Sequence, residues 1–266
     1  MTTVVFTEKN KAAAQIAKIL AGDNVRRSSI GGVAVYDLKR NGKDWRIMGL
    51  AGHIMGYDYP EKFNNWREVD PKVLLDTPPE KNITRAQFGS AIINLAKDAD
   101  ELILACDFDR DGEHIGFEAK SIAEKVSKAP VKRARFSSLS KNEINRAFDN
   151  LVEPDENMAM AAEARQILDL KMGAAFTRYV TLSVRERVRT KGVLSIGPCQ
   201  TPTCGFVYER ERAIRDFKSK DFWKIEALFS THGSDFKGQH RSGNIAEQAK
   251  ADAIFAKIKD CKVATI

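Results

Sequence analysis

The sequence predicts an α/β fold in which a mostly parallel sheet comes first and helical segments follow. In the first half of the chain, short apolar and β-branched segments alternate with helical patterns, as in strands that are joined by helices. One segment, residues 101–106, is almost continuously apolar, which is typical of a strand buried on both faces. Hydrophobic residues make up 43% of the 266 residues, which is enough for a substantial core, and the 30% that are charged can cover its surface.

The elements of the first half follow from local signals. The β-branched and apolar run Thr3–Phe6 predicts the first strand, and the alanine-rich pattern after Lys9 predicts a helix. Residues 28–55 are predicted to form strands, with turn signals at Gly31-Gly32 and Asn41-Gly42. The remaining elements are a helix over residues 91–99, a strand over 101–108, a helix over 113–126, a strand over 131–136 and a helix over 142–151.

The character of the sequence changes near residues 152–154. A long helical pattern rich in alanine and arginine covers residues 158–189, and another helical stretch follows Pro202. Residues 222–236 return to strand-like alternation, and residues 245–258 read as a helix. The last five residues, 262–266, resemble the start of a strand. Because a domain rarely ends there, we expect the sequence to be a piece of a longer protein or one half of a split protein.

Composition indicates which class of partner the protein binds and in which cellular compartment it is found. The formal net charge is +7 and the pI is about 9.2, which favours a polyanionic partner, with nucleic acid first and anionic membrane second. The four cysteines form no CxxC pair, so reduced thiols in the cytoplasm are expected. Glu8 and Lys9 leave no room for the apolar part of a signal peptide, and no apolar run reaches the roughly 18–20 residues of a membrane span. The sequence therefore predicts a cytoplasmic protein that does not enter a membrane.

Acidic residues follow the predicted strand at residues 101–106. Strand alternation places Asp107 and Asp109 on the same face, at the carboxyl end of the strand, where ligand sites of open α/β sheets are found. Carboxylates that converge there repel one another unless a cation neutralises them, and hard oxygen ligands suit Mg²⁺. Glu8 ends the first predicted strand and would reach the same edge, where crowding by acids would suit it to general acid or base work.

Other interpretations of these acids stay open on the residues alone. An acidic run after a strand is often a solvated turn that supplies favourable charges to a helix N-terminus, and Glu8 allows the same interpretation. The spelling from Asp107 also fits a calcium-binding EF-hand loop, with Gly112 at its sixth position and Glu118 at its twelfth. An EF-hand needs a helix before the loop, however, and here a strand is predicted.

The order of several motifs resembles a known family. A glutamate that ends the first strand, followed about a hundred residues later by Asp-x-Asp-x-Asp-Gly-Glu, is similar to the Toprim domain of type IA DNA topoisomerases and primases. Gly52-His53, Trp66 and Val69-Asp70-Pro71 resemble a further stretch of that family. The segments at 165–181 and 195–203, the latter containing Gly-Pro-Cys-Gln-Thr-Pro-Thr, resemble the archaeal and eukaryotic type of topoisomerase III. The resemblance covers nearly the whole chain.

The resemblance implies roles for residues of the acidic motif. Glu8 is implied to be the catalytic glutamate that moves the proton at the leaving deoxyribose oxygen. Lys9 matches the basic residue that follows this glutamate, and Arg110 is expected to contact phosphate or a neighbouring acid. The resemblance further implies that Mg²⁺ is the cofactor and that these acids bind it: Glu8, Asp107, Asp109 and Asp111.

A second set of residues is expected to bind DNA, chiefly single-stranded DNA. Its basic members neutralise phosphates and give salt-dependent binding, and the others belong to the motif that faces the groove in the family. Without the resemblance, the same basic run would be interpreted as a solvated helix face. The set comprises Arg165, Lys171, Arg178, Arg185, Arg187, Arg189, Lys191, Gln200 and Thr201. His53 and His114 are expected to be hydrogen-bonded structural residues rather than metal ligands.

The tyrosines of the sequence depart from the family pattern. The family's nucleophile is a tyrosine in a Tyr-Pro-Arg-like motif, whereas of the five tyrosines only Tyr59 precedes proline, and Glu61 follows in place of arginine. We therefore expect no strand cleavage by this chain alone, and we expect a carboxy-terminal segment, in cis or as a separate chain, to carry the nucleophile.

The resemblance as a whole implies three domains and one activity. These are a Rossmann-like Toprim domain at 1–150, a helical domain for the single-strand groove at 151–220 and the start of a β-rich arch at 221–266. The implied enzyme relaxes or decatenates DNA by Mg²⁺-dependent transient single-strand cleavage, strand passage and religation without ATP. Two alternatives remain: a Toprim nuclease or primase-like enzyme that acts without tyrosine, and a non-catalytic single-strand-binding half of a split enzyme.

Overall fold

The computed structural model of the chain describes residues 1–188, 192–231 and 233–261. It confirms the α/β fold with a mostly parallel sheet. The chain forms two compact units, Met1–Thr201 and Pro202–Ile266. The predicted strand start at 262–266 lies outside the described residues. Within the described residues, no helix is both long enough and apolar enough to cross a membrane.

The first unit contains a six-stranded sheet. Its strands are β1 (Thr2–Thr7), β2 (Arg26–Ile30), β3 (Val33–Arg40), β4 (Lys43–Gly49), β7 (Glu101–Ala105) and β8 (Val131–Arg133). Their order is β2-β3-β4-β1-β7-β8. The strands β4, β1, β7 and β8 run parallel, whereas β2 and β3 are antiparallel to their neighbours. A separate antiparallel pair is formed by β5 (Met55–Asp58) and β6 (Glu80–Ile83).

Helices cover both faces of the six-stranded sheet. They include α1 (Asn10–Ala21), α3 (Ala86–Ala96), α4 (Arg110–Ala123) and α5 (Lys141–Asp149). The long helix α6 (Glu156–Arg187) packs along α4, and the short helix α2 (Val73–Asp76) packs against α6. On one face Phe6 and Leu104 pack in the core formed with α3 and α4. On the other face Val5 and Ile103 pack in the core formed with α1 and α5. Successive strand residues thus enter opposite cores, as the continuous apolar runs predict.

The second unit is small and sparsely packed. The helix α7 (Gln200–Arg215) starts at the end of the first unit, continues into the second and has no buried residue. An antiparallel hairpin of β9 (Glu226–Thr231) and β10 (Ser234–Gln239) follows, and then α8 (Gln248–Ile258). A small core of Ile225, Ile245 and Ala251 holds this unit together.

The predicted elements and the observed ones differ mainly at their ends. The helix predicted over 113–126 begins three residues earlier, because Asp109 caps α4. The strand predicted over 131–136 ends at Arg133. The compact units do not follow the predicted limits at 150 and 220, because α6 packs along α4 and so belongs to the first unit. The three-domain division stays a prediction about function.

Candidate functional site

The carboxyl ends of three neighbouring parallel strands form the candidate site. Thr7, the last residue of β1, pairs with Gly49 of β4 on one side and with Ala105 of β7 on the other. The residues that follow the three strands therefore emerge at one edge, which we call the acidic edge. It comprises Glu8 and Lys9, the segment 50–53, and the segment 106–111. The backbone holds two of these segments together, since Gly52 donates its N–H to the carbonyl of Glu8 over 3.1 Å.

Glu8 is paired with its neighbour at the acidic edge. Its side chain is only 13% exposed, and one carboxylate oxygen lies 2.6 Å from the ammonium of Lys9, which is 67% exposed. The hydrogen bond and charge of Glu8 raise the pKa of Lys9, and the charges of Asp107 and Asp109 raise it further. Glu8 and the two aspartates therefore act on the same ammonium group.

The negative charge of Glu8 acts on the carboxyl group of Asp107. Partial burial raises the pKa of its carboxyl group, and the negative charge of Glu8 raises it further, while Lys9 opposes the shift. Two carboxylates on adjacent strands thus repel each other at a site where Asp109 adds a third. A set of oxygen donors with this excess of negative charge fits a hard divalent cation. Glu8 and the aspartates were predicted to share this edge because each follows the end of a predicted strand.

Asp109 and Asp111 occupy the N-terminus of α4. One oxygen of the Asp109 carboxylate accepts a hydrogen bond of 2.7 Å from the backbone N–H of Gly112, so Asp109 is the N-cap. Asp111 lies in the first helical turn, and Arg110 is the exposed first residue of the helix. The interpretation of these acids as favourable groups at a helix N-terminus is therefore confirmed for Asp109, through one of its two carboxylate oxygens. The EF-hand interpretation is excluded, because β7 precedes the motif and Glu118 is buried within α4.

Glycine is needed at position 112 for a steric reason. The residue is the third of α4. A Cβ atom there would lie 2.2 Å from the carbonyl oxygen of Asp107. Glycine is required because the helix begins directly against the end of β7.

Arg133 supports the backbone of the acidic edge, a role that was not predicted from the sequence. Its guanidinium is fully buried and donates to the carbonyls of Cys106 and Asp107, each over 2.9 Å. It also pairs with Glu113 over 2.7 Å. Burial raises the pKa of the Cys106 thiol to about 12, which makes it an inert core residue. A single arginine in a predicted strand gives no signal of such a role.

Two histidines and a glutamate form a second cluster beside the acidic edge. Ligand atoms of His53, His114 and Glu118 lie within 4.8 Å of one another, a grouping that could hold a metal ion. The hydrogen bond to Glu118 raises the pKa of His53, whereas burial lowers the pKa of His114. One sequence feature could have indicated this cluster: the spacing of His114 and Glu118 places them one turn apart on the same face of a helix.

The predicted DNA-binding residues lie on and after α6. Arg165 is exposed and lies 3.8 Å from Asp169, and Lys171 donates to the carbonyl of Leu75 over 2.7 Å. Arg185 and Arg187 are exposed in the last turn, where Arg185 donates to the carbonyl of Gly192 over 2.7 Å. The remaining two basic residues of this run, Arg189 and Lys191, lie outside the described residues.

Arg178 differs from the other members of this set. Only 7% of the residue is exposed, and its guanidinium donates to the carbonyl of Phe63 and stacks over Trp66 at 5.3 Å. Burial lowers its pKa. This guanidinium is committed to contacts within the protein and is not available to a phosphate. We therefore assign Arg178 to packing.

Threonines of α6 position the segment that leads to Gln200 and Thr201. Thr177 bonds the backbone N–H of Ile196 over 2.9 Å, and Thr181, one turn later, bonds that of Leu194 over 3.0 Å. The segment therefore lies along α6. Gln200 and Thr201 are exposed at the start of α7, and the Thr201 hydroxyl accepts a bond of 3.1 Å from Gly197.

Comparisons with known proteins agree with this arrangement. A Toprim domain model matches residues 3–139, and a model described as DNA topoisomerase matches residues 153–266. DNA topoisomerase 1 of Archaeoglobus fulgidus is 38% identical over 259 residues, which is 97% of this chain and 38% of that protein. DNA topoisomerase 3-beta of Arabidopsis thaliana is 35% identical over 268 residues, covering 97% of this chain and 31% of that protein. DNA topoisomerase 1 of Thermoplasma acidophilum is 34% identical over 256 residues, covering 96% and 33%. The chain thus spans about a third of the length of these relatives.

Proposed function

The chain belongs to the Toprim-containing type IA DNA topoisomerase family, and on that basis we propose that it supplies the metal-dependent half of the family's reaction. The intact enzyme would relax or decatenate DNA by transient cleavage of one strand, strand passage and religation without ATP. The observation that carries this proposal is that β1 and β7 end at one edge of the sheet, where the charges of Glu8, Asp107 and Asp109 all act on Lys9.

We assign the residues of the acidic edge separate roles. Asp107, Asp109, Asp111 and Glu8 would hold Mg²⁺, which neutralises phosphate charge and helps to position the scissile strand. Glu8 would move the proton at the leaving deoxyribose oxygen. Lys9, which bonds Glu8 over 2.6 Å, would keep that carboxylate in place and offer a positive charge to the phosphate. Arg110 stands exposed at the start of α4, where it would reach a phosphate.

The nucleophile would come from a tyrosine outside these 266 residues. Tyr59 is the one tyrosine that precedes proline, and it is buried with its hydroxyl bonded to the carbonyl of Leu74. The hydroxyl of Tyr57 is bonded to Glu163. Neither tyrosine lies in a Tyr-Pro-Arg-like motif, which carries the nucleophile in the family. The segment carrying it, in cis or as a separate chain, is the partner that we propose.

The single-strand groove would run along α6, within the first unit. Exposed side chains Met172, Phe176 and Tyr179 recur at helical spacing, and the aromatic members could stack on bases. Arg165, Arg185, Arg187 and, at the start of α7, Gln200 and Thr201 would contact the strand. Lys171 contributes less to this set because its ammonium already bonds Leu75.

The metal assignment is tested by calorimetric titration with Mg²⁺. The double variant Asp107→Asn, Asp109→Asn should lose Mg²⁺ binding and keep the fold, since asparagine also caps helices. Unchanged binding would remove the assignment. The DNA chemistry is tested by joining this chain to the remaining segment of the Archaeoglobus relative and assaying relaxation of supercoiled DNA, with Glu8→Gln as the inactive control.

The same preparations distinguish the alternatives. Mg²⁺-dependent hydrolysis of DNA by this chain alone would favour a nuclease or primase-like enzyme. Salt-sensitive binding to single strands, with no relaxation by the joined protein, would favour a non-catalytic binding module. Failure to bind single-stranded DNA at all would contradict the proposed function.

A further inference from the structure

A buried cluster of two imidazoles and one carboxylate lies next to the acidic edge. His53 follows β4, whereas His114 and Glu118 lie one turn apart on α4. The side chains of Glu118 and His114 are 0% and 1% exposed, and that of His53 is 35% exposed. One candidate ligand atom from each residue lies within 4.8 Å of the others. The cluster therefore has a closed inner side, formed by α4, and an opening at His53.

The separations between the ligand atoms suit a small cation. Oε1 of Glu118 lies 2.9 Å from Nδ1 of His53 and 3.6 Å from Nε2 of His114. Two bonds of about 2.1 Å at a tetrahedral angle would place their donor atoms about 3.4 Å apart. The two observed separations bracket this value, and the ligand atoms of the two histidines lie within 4.8 Å of each other.

His114 supplies an independent indication of a ligand. Its Nε2 atom is buried and has no hydrogen-bond partner among the described residues. The 3.6 Å to Glu118 is too long for a hydrogen bond. Buried polar atoms are nearly always paired, so an unpaired ring nitrogen that faces a carboxylate is unusual. A cation between them would satisfy both groups.

The other oxygen of Glu118 is fixed by the backbone. Oε2 accepts hydrogen bonds from the N–H groups of Ile54 and Met55, over 2.9 and 3.1 Å. These bonds orient the carboxylate and leave Oε1 facing the two histidines. Such outer contacts are the usual way in which proteins orient metal-binding carboxylates.

We propose that His53, His114 and Glu118 form a zinc site, separate from the Mg²⁺ site proposed at the acidic edge. Imidazole nitrogen together with one carboxylate suits Zn²⁺, whereas Mg²⁺ prefers oxygen ligands. Three protein ligands leave a fourth position for water. The ion would join the 50–53 segment of the acidic edge to α4. The two histidines would then be ligands, in contrast to the structural role expected from the sequence.

The zinc site is tested by measuring how much zinc the purified full chain retains. The protein is prepared without a histidine tag and with Cys199, Cys204 and Cys261 replaced by serine, since exposed thiols also bind zinc. After chelation, reloading with Zn²⁺ and dialysis, we expect about one equivalent per chain. His114→Asn and Glu118→Gln should each weaken Zn²⁺ binding by about 100-fold or more, because loss of a ligand exceeds the effect of an outer contact.

Matched variants separate the possible outcomes. His240→Asn, in the second unit, and the double variant Asp107→Asn, Asp109→Asn should both keep the zinc. A chain that retains no zinc, or zinc that survives both His114→Asn and Glu118→Gln, would overturn the proposal. If His114→Asn unfolds, as judged by circular dichroism, the more exposed His53→Asn replaces it and must lose zinc. Co²⁺ loading adds a spectroscopic readout: the visible absorption of nitrogen and oxygen ligation should vanish in Glu118→Gln.

Discussion

Arg133 and Glu113 form a buried ion pair with a separation of 2.7 Å between Nε and Oε2. Arg133 also donates to the carbonyls at the end of β7, and Glu113 accepts a bond of 2.8 Å from the backbone N–H of Asp155, the N-cap of α6. The pair therefore connects β8, the start of α4 and the start of α6. The position of the acidic edge relative to α6 depends on this connection.

Arg133→Met should destabilise the first unit by about 3–5 kcal/mol, because it leaves Glu113 buried without its partner. The double variant Arg133→Met, Glu113→Gln should recover part of this loss, since no uncompensated charge remains. The free energy of unfolding in urea measures both effects. Arg135→Met is the matched control. Its side chain is exposed over Phe108, and the change should stay within about 0.5 kcal/mol. Equal effects of Arg133→Met and Arg135→Met would contradict the assigned role.

Gly112→Ala should destabilise the chain and disturb the acidic edge. A methyl group at this position meets the Asp107 carbonyl, a backbone atom that cannot rotate away, so a cost of about 1–3 kcal/mol is expected. Gly173→Ala, on α6, is the control. A Cβ there would lie 3.7 Å from its nearest neighbour, and alanine favours the helix by about 1 kcal/mol. Opposite signs of the two changes in thermal denaturation are the expected result.

The strand order explains why the position of these acids at one edge of the sheet could be predicted from the sequence. Apolar runs ending at Thr7 and Ala105 identify two parallel strands, and parallel strands necessarily bring Glu8 and Asp107 to one edge. The role of Arg133 could not be predicted, because it depends on partners that belong to other elements. The spacing of His114 and Glu118 was a signal, but their third partner, His53, lies 65 residues from Glu118 in the chain. The burial of Arg178 could not be predicted either. Its position on a helix does not indicate that the carbonyl of Phe63 and the indole of Trp66 contact its guanidinium.

Glu163 should make the stability of the first unit depend on pH. Burial would raise the pKa of this carboxyl group, but hydrogen bonds from Lys81 and Tyr57 outweigh that effect and lower it from 4.5. A lowered pKa in the folded state means that the stabilisation is present above pH 4.5 and is lost as the pH falls through the folded value.

Glu163→Gln should therefore lower the unfolding midpoint near neutral pH and have a smaller effect in acid. A net loss of about 1 kcal/mol corresponds to about 2–4 °C for a unit of this size. Thermal scans between about pH 7 and pH 3 measure the difference from the unsubstituted chain. Glu124→Gln, at a mostly exposed carboxylate, is the control and should change the midpoint little. A difference for Glu163→Gln that is constant with pH would contradict the electrostatic origin.

Arg185→Glu combined with Arg187→Glu should weaken binding to single-stranded DNA and reduce its salt dependence. Each lost phosphate contact removes about 0.7 from the slope of log affinity against log salt, so a decrease of about 1.4 is expected for two contacts. Titration of a labelled oligonucleotide at several salt concentrations measures the slope.

Lys125→Glu with Lys128→Glu makes the same change in net charge just after α4, at the edge of the sheet opposite the acidic residues. This control should leave the slope unchanged, because α4 pairs through Lys120 with Glu156 at the first residue of α6, at the opposite end of that helix from Arg185 and Arg187. Equal effects of the two double variants would show that only the net charge of the chain matters, and an unaltered slope in both would show that the last turn of α6 merely faces solvent.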